Sequence, residues 1–337
     1  MNHRPPFDFA FIPAGPVQET VELVRLGERL GYRCVWLPDQ TFHRDPFVLL
    51  GICAQATQEI GLGVGITSPF TRLPAQIARA TAVVDEISGG RFRLGLGTAN
   101  PDTVLGPLGL ELKNPYGRIR DAITIIRQLI AGKRVDFDGT FDHIKGIQLD
   151  FLPYRPNIPI YIGTRGPKLL ELTGQMANGV LSESLFAGEG LNYVKEHVSS
   201  GLMKSHRSRG DVDIVSWQLV QVTTSVREAV AAQRHWAARS IKIGPRDVML
   251  RLGVEEGLVD RVTDAAGRGD WDSATRYVTD ETVSRLMIIG SPSEITKRVS
   301  GIFEKGADTV SLLLLGSTDV VHNTLTRFAH EVMPEFA

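Results

Sequence analysis

Short continuous apolar runs alternate along the chain with stretches whose apolar residues recur at helical spacing. Runs at 7–13, 34–37, 60–66 and 92–96 read as strands. The stretches between and after them, 17–30, 46–57, 74–88 and 116–130, read as helices. In the first helix Val21, Val24 and Leu30 share a face and Gly31 marks the stop; in the last, Ile119, Ile123, Ile126 and Ile130 form one stripe. Gly89-Gly90 closes the third helix, because glycine takes a left-handed cap without a Cβ penalty. The rhythm breaks after Gly132, where 135–150 predicts a small β insertion turning at Asp138-Gly139.

Regularity then returns. Strands are expected at 160–162, 180–182, 214–223 and 309–315, and helices at 167–176, 190–207, 226–239, 292–305 and 319–332. Residues 240–285 read as irregular and charge-rich, with short helical pieces. Eight strands, each followed by helix, predict a (β/α)8 TIM barrel, as one domain over 1–337 with insertions near 133–158 and 240–285. A doubly wound open sheet is the rival, and such sheets usually have fewer strands.

Composition narrows the function. The chain has 337 residues, 42% hydrophobic, and a formal net charge of -1, which recommends neither nucleic acid nor a membrane surface as partner. No apolar run is long enough to span a bilayer, and the start lacks the pattern of a secretory signal, so a cytoplasmic location is expected. Cys34 and Cys53 fall in a strand and a helix and read as buried free thiols. The eight histidines show no ligand spacing, so no metal is expected.

In such a barrel the chemistry sits at the C-terminal strand ends. These carry Asp39 and Gln40, then Gly65, Ile66 and Thr67, then Thr98 and Asn100, then Gly163, Thr164, Arg165 and Gly166, and finally Glu183. The segment IYIGTRGP sets two glycines between strand and helix, the kind of turn whose backbone N–H groups hold an anion, with Arg165 adding a full charge. An ordinary β/α turn has the same composition. Asp39 and Glu183 are carboxylates at strand ends, open to acid–base, hydrogen-bonding, capping or plain solvent roles. Asp85, Glu86 and Arg91 fall on the opposite face and read as structural, and no G-x-G-x-x-G follows a strand.

Several stretches resemble the bacterial luciferase-like superfamily, and within it the F420-dependent methylenetetrahydromethanopterin reductase branch: FDFAFIPAGP, LGYRCVWLPDQ, GVGITSPFTRLPAQIARATAVVDEISGGRFRLGLGT, IPIYIGTRGPKLLELTGQMANGVL and GSPSEITKRVSGIFEKGADTVSL. The resemblance implies a barrel binding coenzyme F420, with FMN as the alternative. It implies a non-prolyl cis peptide at Gly65-Ile66 bulging against the ring, a phosphate turn at Gly163 to Gly166, and cofactor contacts from Thr98 and Asn100. It also implies hydride transfer to or from a small-molecule substrate, with Asp39 orienting a polar edge of the ring or a proton-carrying water. Residues 98–113 and 240–285 are expected to close over the site. A homodimer through helices near 74–88 and 114–130 is implied, and a flavin reductase partner if the cofactor is FMN. Two positions depart from the pattern: Gln40 stands where the family usually has His, and Ala10 where the pterin reductases carry an acid. Ala10 points to a different substrate. An FMN-dependent monooxygenase, a non-catalytic flavin binder and a flavin-free phosphate-binding barrel remain open readings of the residues.

Overall fold

Eight parallel strands close on themselves in the computed structural model, which describes residues 7–183 and 189–336, with backbone only at 183 and 189. They are β1 (Phe7–Phe11), β2 (Cys34–Leu37), β3 (Gly61–Thr67), β4 (Phe92–Leu96), β7 (Ile160–Gly163), β8 (Gly179–Glu183), β9 (Asp213–Val222) and β11 (Thr309–Leu314). Each pairs with the next, and β11 pairs with β1 to complete the cylinder. Between β4 and β7 lies the expected insertion, an antiparallel hairpin of β5 (Val135–Asp138) and β6 (His143–Ile147).

Strand alternation sorts the core into two layers. Phe7, Phe9 and Phe11 of β1, Val35 and Leu37 of β2, and Leu62 and Val64 of β3 face outward. They meet the helical ring: α1 (Val17–Arg29), α2 (Pro46–Ala56), α3 (Pro74–Ile87), α4 (Pro115–Ile130), α5 (Pro167–Met176), α6 (Glu189–Lys204), α13 (Pro292–Glu304) and α14 (Thr318–Glu331). Inward, Ala10, Cys34, Trp36, Tyr161, Leu181, Val215 and Trp217 fill the cylinder.

The barrel floor is ionic, which the apolar look of FDFAF did not suggest. Asp8 is fully buried and accepts two hydrogen bonds from Arg33, at 2.8 and 2.9 Å, and one from Trp36 Nε1 at 2.9 Å. Arg33 also donates to Asp213 (3.0 Å), which accepts from Tyr161 and Thr309 as well. Burial works against the Arg33 charge, but attraction and hydrogen bonding from Asp8 hold its pKa above the ordinary value. Buried charges persist when paired in this way. Asp85 and Arg91 are structural on the same face: Asp85 receives a forked contact from Arg155, and Arg91 donates to the Ala54, Thr57 and Ile60 carbonyls.

At 226–243 the structure departs from the sequence reading, while the short helical pieces expected within 240–285 are present. The helix expected at 226–239 breaks at Gln233 into α7 (Val226–Ala232) and α8 (Arg234–Ile243). The stretch read as irregular holds α9 (Arg246–Arg251), α10 (Glu256–Gly267), α11 (Trp271–Tyr277) and α12 (Asp280–Leu286). These bury an apolar cluster of their own, built on Ala237, Ile241, Val259, Val262 and Leu286. A further strand, β10 (Ile288–Gly290), pairs with the end of β9, Val220 to Val222, where β9 outruns the barrel. Its three residues are too short to register as an apolar run.

Candidate functional site

A cleft of about 750 Å³ opens at the C-terminal strand ends, within the range usual for cofactor and substrate sites. Of the residues singled out from sequence, Asp39, Gly65, Ile66, Thr98, Asn100, Gly163, Thr164 and Arg165 line it. Thr67 is fully buried, does not line the cleft, and donates its hydroxyl to Asp39, which does. Gly166 sits just outside the lining, as the N-cap residue of α5. Glu183 ends β8, and its side chain lies outside the described residues.

The wall is organised around Ile66. The Gly65-Ile66 peptide is cis, and the pairing of β3 with β4 shifts register between Val64 and Thr67. The Ile66 side chain lies across strand-end glycines. A Cβ at Gly97 would stand 2.7 Å from its Cδ1, and one at Gly163 would stand 2.6 Å from its Cγ2. The glycines of GLGT and IYIGT thus provide the space that seats an apolar ridge at the mouth. From across the barrel, the Trp217 ring approaches Gly65, where a Cβ would meet it at 3.0 Å.

Polar contacts brace the ridge. Asp39 N–H donates to the Ile66 carbonyl at 3.2 Å, and Gly97 N–H to the Thr67 carbonyl at 2.9 Å. Asp39 Oδ2 accepts from Thr67 Oγ1 (2.7 Å) and from Arg72 Nε (2.8 Å). Arg72 also donates to Asp45 (2.7 Å), the residue that caps α2, and stacks over Phe47. Partial burial opposes the Arg72 charge, yet hydrogen bonds to Asp45 and Asp39 keep its pKa above the ordinary value. Sequence reasoning missed Arg72, which sits in a loop with no periodicity to mark it.

Two strand ends offer donors. Gly166 gives the start of α5 no side-chain cap, and Pro167 opens the helix. The Gly166 N–H is spent on Thr164 Oγ1 (3.1 Å) and Pro167 has none, but a Cβ at Gly166 would meet nothing nearer than that oxygen at 3.8 Å, so the space before this helix start is open to an anion held by the N–H groups that follow. At the end of β4, Asn100 spends its side-chain oxygen on the Asp102 and Thr103 N–H groups, which leaves its amide as donor. It starts a π-helical turn, Pro101–Leu105, that brings Thr103 and Val104 to the cleft. Just before Asn100, Ala99 holds φ 60°, a left-handed conformation that favours glycine.

The remaining wall comes from residues the sequence reading did not single out for the site. Trp217 lies on β9, and Trp236, Arg239, Ser240 and Ile243 lie on α8. Trp217 was legible as an inward position of a strand; Trp236 and Arg239 fall in the helix expected at 226–239, and Ser240 and Ile243 in the stretch read as irregular. Ala10 and Ile12 make the β1 edge apolar, as expected. No group of three or more His, Cys, Asp or Glu is arranged for a metal among the described residues, and none of the described helices is long and apolar enough to cross a membrane.

Comparison with known proteins places this geometry. The 5,10-methylenetetrahydromethanopterin reductase of Archaeoglobus fulgidus is 33% identical over 308 residues, 90% of this chain and 92% of that protein. The F420-dependent glucose-6-phosphate dehydrogenase of Beutenbergia cavernae is 28% identical, over 92% of this chain and 90% of its own. The solved structure of the coenzyme F420-dependent tetrahydromethanopterin reductase from Methanopyrus kandleri superposes with a TM-score of 0.86 at 23% identity, covering 99% of this chain and 100% of that one. A luciferase-like monooxygenase family profile matches residues 6–309, and on that match the chain belongs to this family.

Proposed function

We propose that this chain is an F420-dependent oxidoreductase that moves a hydride between the deazaflavin and an electrophilic carbon or imine of a small organic substrate. The observation that carries the reading is the ridge of Ile66 seated over Gly97 and Gly163, beside an uncapped helix start. Together these fit a flat ring with an anionic tail. The relatives support the cofactor more than the substrate: a pterin reductase and a sugar-phosphate dehydrogenase cover nearly the same length.

When bound, coenzyme F420 supplies or accepts the hydride. The chain's own residues place and shield it. Ile66 backs one side of the binding surface and leaves the other to substrate. Asp39, through Thr67 and Arg72, holds the bulge that carries Ile66. The Gly163–Gly166 turn, Arg165 and the α5 start would receive the tail, and the Asn100 amide would donate to the cofactor, with Thr98 lining the cleft beside it and donating its own hydroxyl to the Ala99 carbonyl. Ile12, Trp236, Ile243 and Leu313 keep water from the reacting atoms.

A second copy of the chain is part of this reading. Val48 and Ile52 on α2 and Val83 and Ile87 on α3 are exposed apolar side chains, and the helices meet near Gly51 and Ile87. Helix α4, which the resemblance also implicated, carries no such exposed side chain. Titration of the purified protein with F420 and with FMN, followed by cofactor fluorescence, tests the cofactor. Saturable F420 binding with FMN at least about tenfold weaker is expected; FMN binding without F420 binding would overturn the reading.

A further inference from the structure

The cleft contains a positive charge that the placement of a cofactor does not use. Arg239 lines the cleft from α8, with its guanidinium 5.3 Å from the Trp236 ring and 5.6 Å from the Trp271 ring. Two aromatic faces hold a cation in place without neutralising it. Among the described residues Arg239 has no carboxylate partner. Among the described residues that line the cleft the one carboxylate, Asp39, is paired with Arg72. Trp271 is itself steadied by His235, whose ring lies 5.7 Å away and whose Nδ1 is 3.2 Å from Thr275 Oγ1. Burial and the neighbouring Arg239 charge lower the His235 pKa, so His235 is neutral at pH 7 and leaves Arg239 as the cation of this wall.

Position separates this cation from the tail site. Counting round the cylinder, Ile66 ends the third strand, Arg165 follows the fifth, and α8 belongs to the connection after the seventh, β9. The third and seventh strands stand opposite each other in an eight-stranded barrel. Arg239 therefore faces the ridge from the far side, where the substrate sits if Ile66 backs the ring. Trp236 lines the cleft next to it and gives the same wall a flat apolar surface.

We propose that Arg239 is a specificity-determining residue for an anionic substrate, one whose carboxylate or similar oxyanion pairs with the guanidinium while its body lies against Trp236. This rests on the hydride-transfer reading only for which ligand counts as the substrate. An anionic group on the cofactor's own tail is the other source of the same chemistry.

The probes are benzoate and its neutral isostere benzamide, titrated into cofactor-free and F420-loaded protein and read by tryptophan fluorescence. Benzoate is expected to bind about tenfold more tightly than benzamide, the worth of a charge-assisted hydrogen bond. In Arg239→Met, or in Arg239→Gln should the methionine variant melt early, that preference is expected to fall to about twofold or less. F420 affinity is expected to stay within about twofold of wild type. Equal binding of the two probes to wild type, or a preference that survives both variants, would overturn the proposal. A tenfold or so loss of F420 affinity in the variants would also overturn it, by assigning Arg239 to the cofactor tail. If F420 binds neither protein while the benzoate preference follows Arg239, the proposed cofactor fails and the anion site stands.

Discussion

Replacing Gly163 with alanine tests how the ridge is seated. The new Cβ would lie 2.6 Å from Ile66 Cγ2 and 3.4 Å from Cγ1. Carbon–carbon contacts settle at about 3.5–4.0 Å, so the overlap with Cγ2 is roughly 1 Å. Gly163 does not have a positive φ, so the backbone accepts alanine and the cost is contact alone. Cγ2 is a branch methyl held by χ1, and it cannot withdraw as the end of a long side chain can. Overpacking of this kind costs about 1–3 kcal/mol. If the strain stays in the fold, thermal stability falls by that amount. If it is relieved by displacing Ile66 into the mouth, F420 affinity falls instead, by about 5- to 150-fold over the same range. Thermal denaturation and F420 fluorescence titration together capture both routes. Gly301→Ala is the control: it lies within α13 with no atom within 4 Å of its would-be Cβ, and it is expected to be neutral or to stabilise by up to about 1 kcal/mol. A Gly163→Ala protein that melts like wild type and binds F420 like wild type would refute the reasoning.

Other outcomes follow from the same contacts. Asp39→Asn removes the charge from the pair with Arg72 and is expected to weaken F420 binding by about 1.5–3 kcal/mol while every limb of the pH–rate profile stays in place; loss of a limb would make Asp39 an acid or base. Burial pushes the Cys34 and Cys53 thiols up to about 12, whereas the unfolded chain releases those protons near 8.5, at about the ordinary thiol value. Stability is thus full below that pH and falls as pH rises; urea unfolding should show a loss of about 2 kcal/mol between pH 8 and 9.5, halved in Cys53→Ala, and a flat profile would contradict the burial. Ile87→Glu places a charge in the exposed apolar face of α2 and α3; light scattering is expected to find a dimer for the parent and a monomer for the variant, and an equal mass for the two would remove that face from the proposed interface.

How far the sequence carried depended on whether a feature was local. Strand and helix order was legible because apolar runs and spacing are properties of neighbouring residues, and Gly89-Gly90 and Asp138-Gly139 marked real stops. The turn at Gly163 to Gly166 was legible for the same reason. What Gly97 and Gly163 are for was not, since their partner is an isoleucine on another strand. Asp8 looked like one polar letter in an apolar strand, and only the closed barrel brings Arg33, Trp36 and Asp213 around it. Arg239 fell within the helix expected at 226–239, but its setting was hidden, because the second ring against its guanidinium is Trp271, a residue of a separate short helix.

If the proposed function holds, Ile66, seated on glycines, backs a flat ring whose anionic tail runs to the start of α5. A crystal structure of the protein with F420 tests it most directly. The ring is expected against Ile66, the tail phosphate at Gly163 to Gly166, and Arg239 left facing the vacant side of the cleft. A ring lodged away from Ile66, or a tail phosphate bound by Arg239, would contradict it.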